Sequence, residues 1–211
     1  MKGLLLKDWM MLKKYCRIYF FMLVIFAAAS VGTGDNSFFV MYPMLLSGVL
    51  VVTLISYDER TRWNVYCNTL PCPKSMQVNE KYMITLLLVG VTFICLAVLQ
   101  FVRQLLSGGI NWNEYLVLLV ILLTVGILPT TILLPIVFRW GVERGRIAYY
   151  VVIAGGVAGG MVFSNLIPIG NRNDIPVLSG RFLPLLVLLI LAFLLAVSWM
   201  LSLRFYQKRE L

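Results

Sequence analysis

Apolar residues in this chain come in long unbroken runs rather than in alternation. Bounded by the nearest charged residues, the runs are Ile18–Gly34, Asn36–Tyr57, Tyr82–Val102, Tyr115–Phe138, Ile147–Asn171 and Phe182–Leu203. A hydrocarbon core about 30 Å thick is crossed by about 20 helical residues rising about 1.5 Å each. Barrel strands are about 10 residues long and alternate apolar with polar positions. A span in lipid must also satisfy its backbone groups within itself, as a helix does. The runs predict an all-α integral membrane fold, one transmembrane domain over 1–211, with six helices at about 17–34, 37–57, 82–103, 115–138, 147–168 and 182–203. The first run also has the layout of an export signal, a basic front followed by Ala27-Ala28-Ala29-Ser30, but it is read as a span that Tyr15–Arg17 can extend, with Arg17 snorkelling to the headgroups.

The basic residues between the runs set the orientation. Fifteen of the 18 fall on one side: in the N-terminus, the 58–81 loop, the 139–146 loop and the tail. Arg103, Arg172 and Arg181 fall on the other. That bias places both termini in the cytoplasm of a multi-pass plasma-membrane protein.

Composition narrows the function classes. The chain is 61% hydrophobic and 13% charged, too apolar for a soluble enzyme, a nucleic-acid-binding module or a disordered tail of 211 residues. Topology and anionic lipid explain the net charge of +9 without nucleic acid. There is no His and no G-x-x-x-x-G-K-[ST] loop, so neither the commonest general base nor a phosphate cradle is present. No catalytic, cofactor-binding or metal-ligating residue is assigned. Cys16, Cys67 and Cys72 fall on the cytoplasmic side and Cys95 in the third run, as ordinary reduced thiols do. The runs hold essentially no charge, so no ion-coupling carboxylate is visible within them. If the chain transports, its energy comes from a partner.

Two cytoplasmic segments carry pattern. In MKGLLLKDWMMLKKYCR, Leu5, Trp9, Leu12 and Cys16 share a narrow helical arc with Lys7 and Lys14 opposite. This predicts an interfacial helix over 1–16, with Trp9 as anchor and Lys2, Lys7, Lys13 and Lys14 on anionic headgroups. In the 58–81 loop, Trp63, Tyr66, Cys67 and Leu70 follow i, i+3, i+4, i+7 spacing. Pro71 and Pro73 end that short helix, and Ser75 offers an N-cap for the next. An exposed element with aromatic and Arg residues suits protein docking. The alternative is a stripe packed under the protein's own spans or into lipid.

The succession Tyr57-Asp58-Glu59, a basic residue, Trp63, Leu70-Pro71 and Lys81-Tyr82 resembles the signature of small bacterial ABC-2-type permeases, as does the opening Met1-Lys2-Gly3-Leu4-Leu5-Leu6-Lys7-Asp8-Trp9. Lys74-Ser75 departs from that pattern, and Cys67 and Cys72 replace commoner apolar residues. The resemblance implies a type V exporter-like membrane subunit that pairs with a second permease copy, identical or not. It would bind separate ATPase subunits that carry the ATP and Mg. The 58–81 loop would hold the coupling helix, with Trp63, Tyr66, Leu70 and Pro71 in the contact and Arg60 and Arg62 steering at its rim.

Within the fifth run, Gly155/Gly159 and Gly156/Gly160 form two G-x-x-x-G pairs, the spacing of close helix packing or a dimer contact. Pro43, Pro129 and Pro135 lie inside spans, where neighbours must satisfy the backbone groups they free. Asn165, Pro168 and Gly170 suggest an irregular outer end or a re-entrant feature, and the resemblance implies a cap over 169–181. Gln100 and Arg103 stand near the outer end of the third span, as substrate contacts or with Arg103 snorkelling to headgroups. The expected function is ATP-driven export of an amphipathic or hydrophobic substrate; antimicrobial or cytotoxic peptides, peptide antibiotics and lipids all fit. The alternatives are a membrane anchor or sensor that recruits a cytoplasmic partner, and a membrane enzyme, for which converging catalytic groups are lacking.

Overall fold

Helices occupy almost every stretch of chain in the computed structural model, which describes residues 2–15, 17–32, 37–63, 66–67, 73–106, 112–166 and 182–208. The bounded helices are α1 (Lys2–Tyr15), α2 (Arg17–Gly32), α3 (Ser37–Arg60), α4 (Lys74–Leu106), α5 (Trp112–Trp140), α6 (Val142–Leu166) and α7 (Phe182–Lys208). Among the described residues there is no strand. Four stretches are long and apolar enough to cross a bilayer: Phe39–Arg60, Lys74–Leu105, Tyr115–Trp140 and Pro184–Gln207.

The helices outrun the apolar runs because a charged residue bounds a run but does not end a helix. At 33 residues, α4 is about 50 Å long, well beyond a hydrocarbon core of about 30 Å. Its first two turns therefore project past the apolar layer. It opens directly after Pro73, whose carbonyl takes the Met76 N–H at 2.9 Å; Ser75, expected as the N-cap, lies inside the first turn. Between α5 and α6 the chain reverses at Gly141, whose φ of 85° lies in the left-handed region that favours glycine. Its N–H reaches the Val137 carbonyl at 2.9 Å.

Helix α3 is central, packing on α2, α4, α5 and α6, while α7 lies along α5 and α4. One core cluster joins Leu50, Val51 and Ile55 of α3 to Val78 of α4, Leu133 and Val137 of α5 and Tyr206 of α7. A second, further along the bundle, joins Met44, Val89, Leu96 and Leu122. In lipid, apolar side chains gain little by meeting one another, so packing and interhelical polar bonds carry more of the specificity.

One such bond answers a proline. Pro135 has no N–H to give the Thr131 carbonyl one turn before it. Ser198 of α7 donates to that carbonyl at 2.6 Å. The Tyr82 hydroxyl of α4 lies 2.7 Å from Ser198 Oγ and 2.8 Å from Ser202 Oγ. A buried hydroxyl chain thus ties α4, α5 and α7 together.

The alternating helix directions bring the C-terminal ends of α3, α5 and α7 together with the N-terminal ends of α4 and α6. Tyr206 of α7 touches Gln77 of α4 and Phe138 of α5, and Glu59 of α3 reaches Val142 of α6. Arg60, Lys74, Lys81, Arg139, Arg144, Arg146 and Arg204 therefore share this end of the bundle, with Arg103 near the other. Helix α1 packs here too, against α2, α3 and α4.

Candidate functional site: an ionic ring and an exposed aromatic pair at the basic end

The site is built where α3 stops. Thr61 N–H bonds to the Tyr57 carbonyl at 3.0 Å and Arg62 N–H to that of Glu59 at 3.1 Å. Arg62 has a φ of 52°, a left-handed conformation that costs a non-glycine residue about 1–2 kcal/mol. This reversal re-aims the chain, and Tyr66 N–H then returns to the Arg62 carbonyl at 3.2 Å. The Trp63 and Tyr66 rings lie 5.5 Å apart, tilted by 44°. Trp63 is half-buried, whereas Tyr66 is 57% exposed. Cys67 is fully buried. The sequence stripe therefore divides: Cys67 points into the protein and Tyr66 away from it. Leu70 and Pro71 lie outside the described residues.

Behind the aromatic pair sits a closed ring of alternating charge. Lys7 Nζ is 2.9 Å from Asp8 Oδ1 and 2.9 Å from Asp58 Oδ1. Lys81 Nζ is 2.5 Å from Asp8 Oδ2 and 2.5 Å from Asp58 Oδ2. Asp8, Asp58 and Lys81 are buried, and only Lys7, at the rim, is partly accessible. The ring closes across three helices, α1, α3 and α4. Such a ring is stable because each buried charge has two opposite neighbours; removing one member strands the rest. Lys7 also lies 4.4 Å over the Trp63 ring, so α1 braces the exposed pair through a cation–π contact.

The signature residues now have separate tasks. Asp58 belongs to the ring. Glu59 Oε2 accepts the Val142 N–H at 3.2 Å, placing a negative charge at the α6 N-terminus, where the helix dipole favours it. Lys81 closes the ring and Tyr82 enters the hydroxyl chain. Tyr206 O–H donates to Gln77 Oε1 at 2.5 Å, joining α7 to the same end. Beside the ring a cavity of about 20 Å³ is lined by Asp58, Glu59, Trp63, Gln77, Glu80 and Tyr206, room for about one water.

The other expected site residues are scattered. Arg60 and Arg62 are exposed beside the aromatic pair. On α1, Trp9 and Lys13 are exposed, with Lys13 Nζ 5.7 Å over the Trp9 ring, and Lys14 is exposed as well. Lys7, expected on headgroups, is instead held in the ring, because the face of α1 that carries Leu4 and Asp8 is the one buried against the bundle. The side chain of Lys2 lies outside the described set. Gly155 and Gly156 are exposed, and a Cβ on either meets nothing within 4 Å. No described element of the same chain packs on them. The surroundings of Gly159 and Gly160, and the 169–181 cap, lie outside the description. Gln100 is buried inside the bundle rather than presented to a substrate. Sequence reasoning missed Asp8, Glu80 and Gln77. Asp8 stands only within the opening motif of the resemblance, and Gln77 and Glu80 only as polarity bordering an apolar run, which marks a topogenic flank equally well.

Several apolar helices of spanning length and a charge-capped basic end define a multi-pass helical membrane protein. Compared with known protein families, residues 3–207 match the ABC-2 family transporter protein, and the chain belongs to that family. No curated protein and no solved structure matches it.

Proposed function

We propose that this chain is the permease subunit of an ATP-driven exporter: it pairs with a second permease copy and couples to a separate ATPase subunit at its basic end. Six spans and cytoplasmic termini are part of this reading. Family membership supports the permease role, and the excess of basic residues at one end supports its cytoplasmic orientation. The observation that carries the coupling assignment is Tyr66. It is a large aromatic residue, 57% exposed, in tilted contact with a Trp63 that is itself braced by Lys7. Aromatic anchors on a rigid support with Arg at the rim suit a protein interface. ATP and Mg would reside on the partner. The mostly apolar bundle favours an amphipathic or hydrophobic substrate, with peptides among the classes that fit.

Copurification tests the coupling assignment. Tyr66→Asp removes an exposed ring without touching the ionic ring, so the permease should fold normally. Retention of the ATPase should fall by about tenfold or more, the loss of one anchor of about 2 kcal/mol. Unchanged retention would place the contact elsewhere. If the ATPase stays bound and no ATP-dependent substrate movement occurs in vesicles, the chain is a recruiting anchor or sensor instead.

A further inference from the structure

Four carboxyl groups, those of Asp8, Asp58, Glu59 and Glu80, stand against two ammonium groups beside the cavity, and Glu59 is taken up by the Val142 N–H. The ring uses both Lys7 and Lys81 to neutralise Asp8 and Asp58. Glu80 is left over. It is only 3% exposed, lines the cavity, and its Oε1 has no hydrogen-bond donor. Its carboxyl lies within hydrogen-bonding reach of Asp8. Asp8 Oδ1 is paired with the Lys7 ammonium at 2.9 Å and keeps lone-pair capacity for a second donor. Two ionised carboxylates present only acceptors to each other, so they repel at close range; one proton turns one of them into a donor and removes the surplus buried charge. The orphaned, buried Glu80 oxygen beside the cavity is what distinguishes this place from an ordinary acidic cluster.

We propose that Glu80 and Asp8 form a proton-binding site in which Glu80 holds the proton and donates to Asp8, fastening α1 to α4 when occupied and loosening α1 when empty. The charged and titratable groups facing the pair are Lys81 on α4, Lys7 on α1, Asp58 and Glu59 on α3 and the Tyr206 hydroxyl on α7. From α5, Val137 and Phe138 contribute apolar walls only. When the proton leaves, the neutral ring survives, but the bond between α1 and α4 becomes a repulsion between like charges. Docking of α1 is therefore strongest at low pH and weakens as pH rises. The inference stands on these contacts alone and does not depend on the transporter reading. It concerns the α1–α4 joint, with no proton path across the bundle.

Hydrogen–deuterium exchange of the Lys2–Tyr15 amides, on the full chain in lipid nanodiscs and corrected for intrinsic rates, tests it. Between about pH 5 and about pH 9, wild-type protection should fall by about tenfold or more. Glu80→Gln, whose amide donates to Asp8 at every pH, should vary by no more than about twofold over the same range. A flat wild-type profile, as a bridging water would give, overturns the proposal, and so does the same slope in Glu80→Gln. Exchanging sodium and potassium for N-methylglucamine should leave the wild-type profile unchanged; a profile that follows the alkali cation makes this a metal-ion site and overturns the proton assignment. Should Glu80→Gln not fold, infrared spectroscopy of the wild type decides. A carboxylic C=O band should persist above about pH 5.5, where exposed carboxyl groups are ionised, and vanish on further titration; its absence overturns the proposal.

Discussion

Lys81 is the residue on which the basic end depends most. Its ammonium holds Asp8 of one helix and Asp58 of another. Lys81→Met keeps the length of the stem but strands two buried carboxylates, and it should destabilise the protein by about 3–5 kcal/mol. Thermal unfolding in detergent measures this, and Lys74→Met, whose side chain lies outside the ring, serves as the comparison. None of the ring was legible as a ring. Asp8, Asp58 and Lys81 stand far apart in the chain; Asp58 and Lys81 read locally as charges bordering an apolar run, and Asp8 as one charge within the N-terminal stretch. Only the tertiary return of α1 onto α3 and α4 brings them together. The aromatic members were better marked, since Trp63 and Tyr66 keep helical spacing. Yet periodicity placed Cys67 on their face, whereas adjacent helical positions point about 100° apart, and the protein covers Cys67 while leaving Tyr66 exposed.

At the scale of elements, prolines and glycines punctuate helices that hydropathy alone draws as uniform. The Thr131 carbonyl, freed by Pro135, is held by Ser198. Ser198→Ala should cost about 1–3 kcal/mol, because it orphans a buried acceptor. In a Pro135→Ala background the backbone N–H returns and the same change should cost less; a double-mutant cycle by denaturant unfolding reads the difference, and equal costs in both backgrounds would contradict the account. Gly141→Ala forces a side chain into a φ of 85° and should cost about 1 kcal/mol, seen as a lower unfolding midpoint. Described helices overlap all six apolar runs, and four of them, α3, α4, α5 and α7, are long and apolar enough to cross a bilayer. The largest discrepancy is α4, which starts at Lys74 rather than Tyr82. Its first turns are polar and amphipathic, buried against the bundle on one side through Gln77, Val78 and Glu80, and a rule that ends a span at the first charge cannot include them.

At the scale of the whole molecule, the proposed function puts partners on two outward surfaces. One is the α6 face at Gly155 and Gly156, open for close helix approach. In the proposed permease dimer, Gly155→Leu and Gly156→Leu should lower dimer yield in crosslinking while leaving monomer stability nearly unchanged. A changed melting point with unchanged dimer would assign the face to the subunit's own fold. The other surface is the basic end, where the ionic ring supports Trp63 and Tyr66. The most direct test of the coupling reading is site-specific photocrosslinking with the separately encoded ATPase. A photoreactive phenylalanine at Tyr66 should form an adduct with the ATPase. The same probe at Trp112, equally exposed but at the opposite end of the bundle, should not. Adducts from Trp112, or none from Tyr66 in a complex that hydrolyses ATP, would contradict the account.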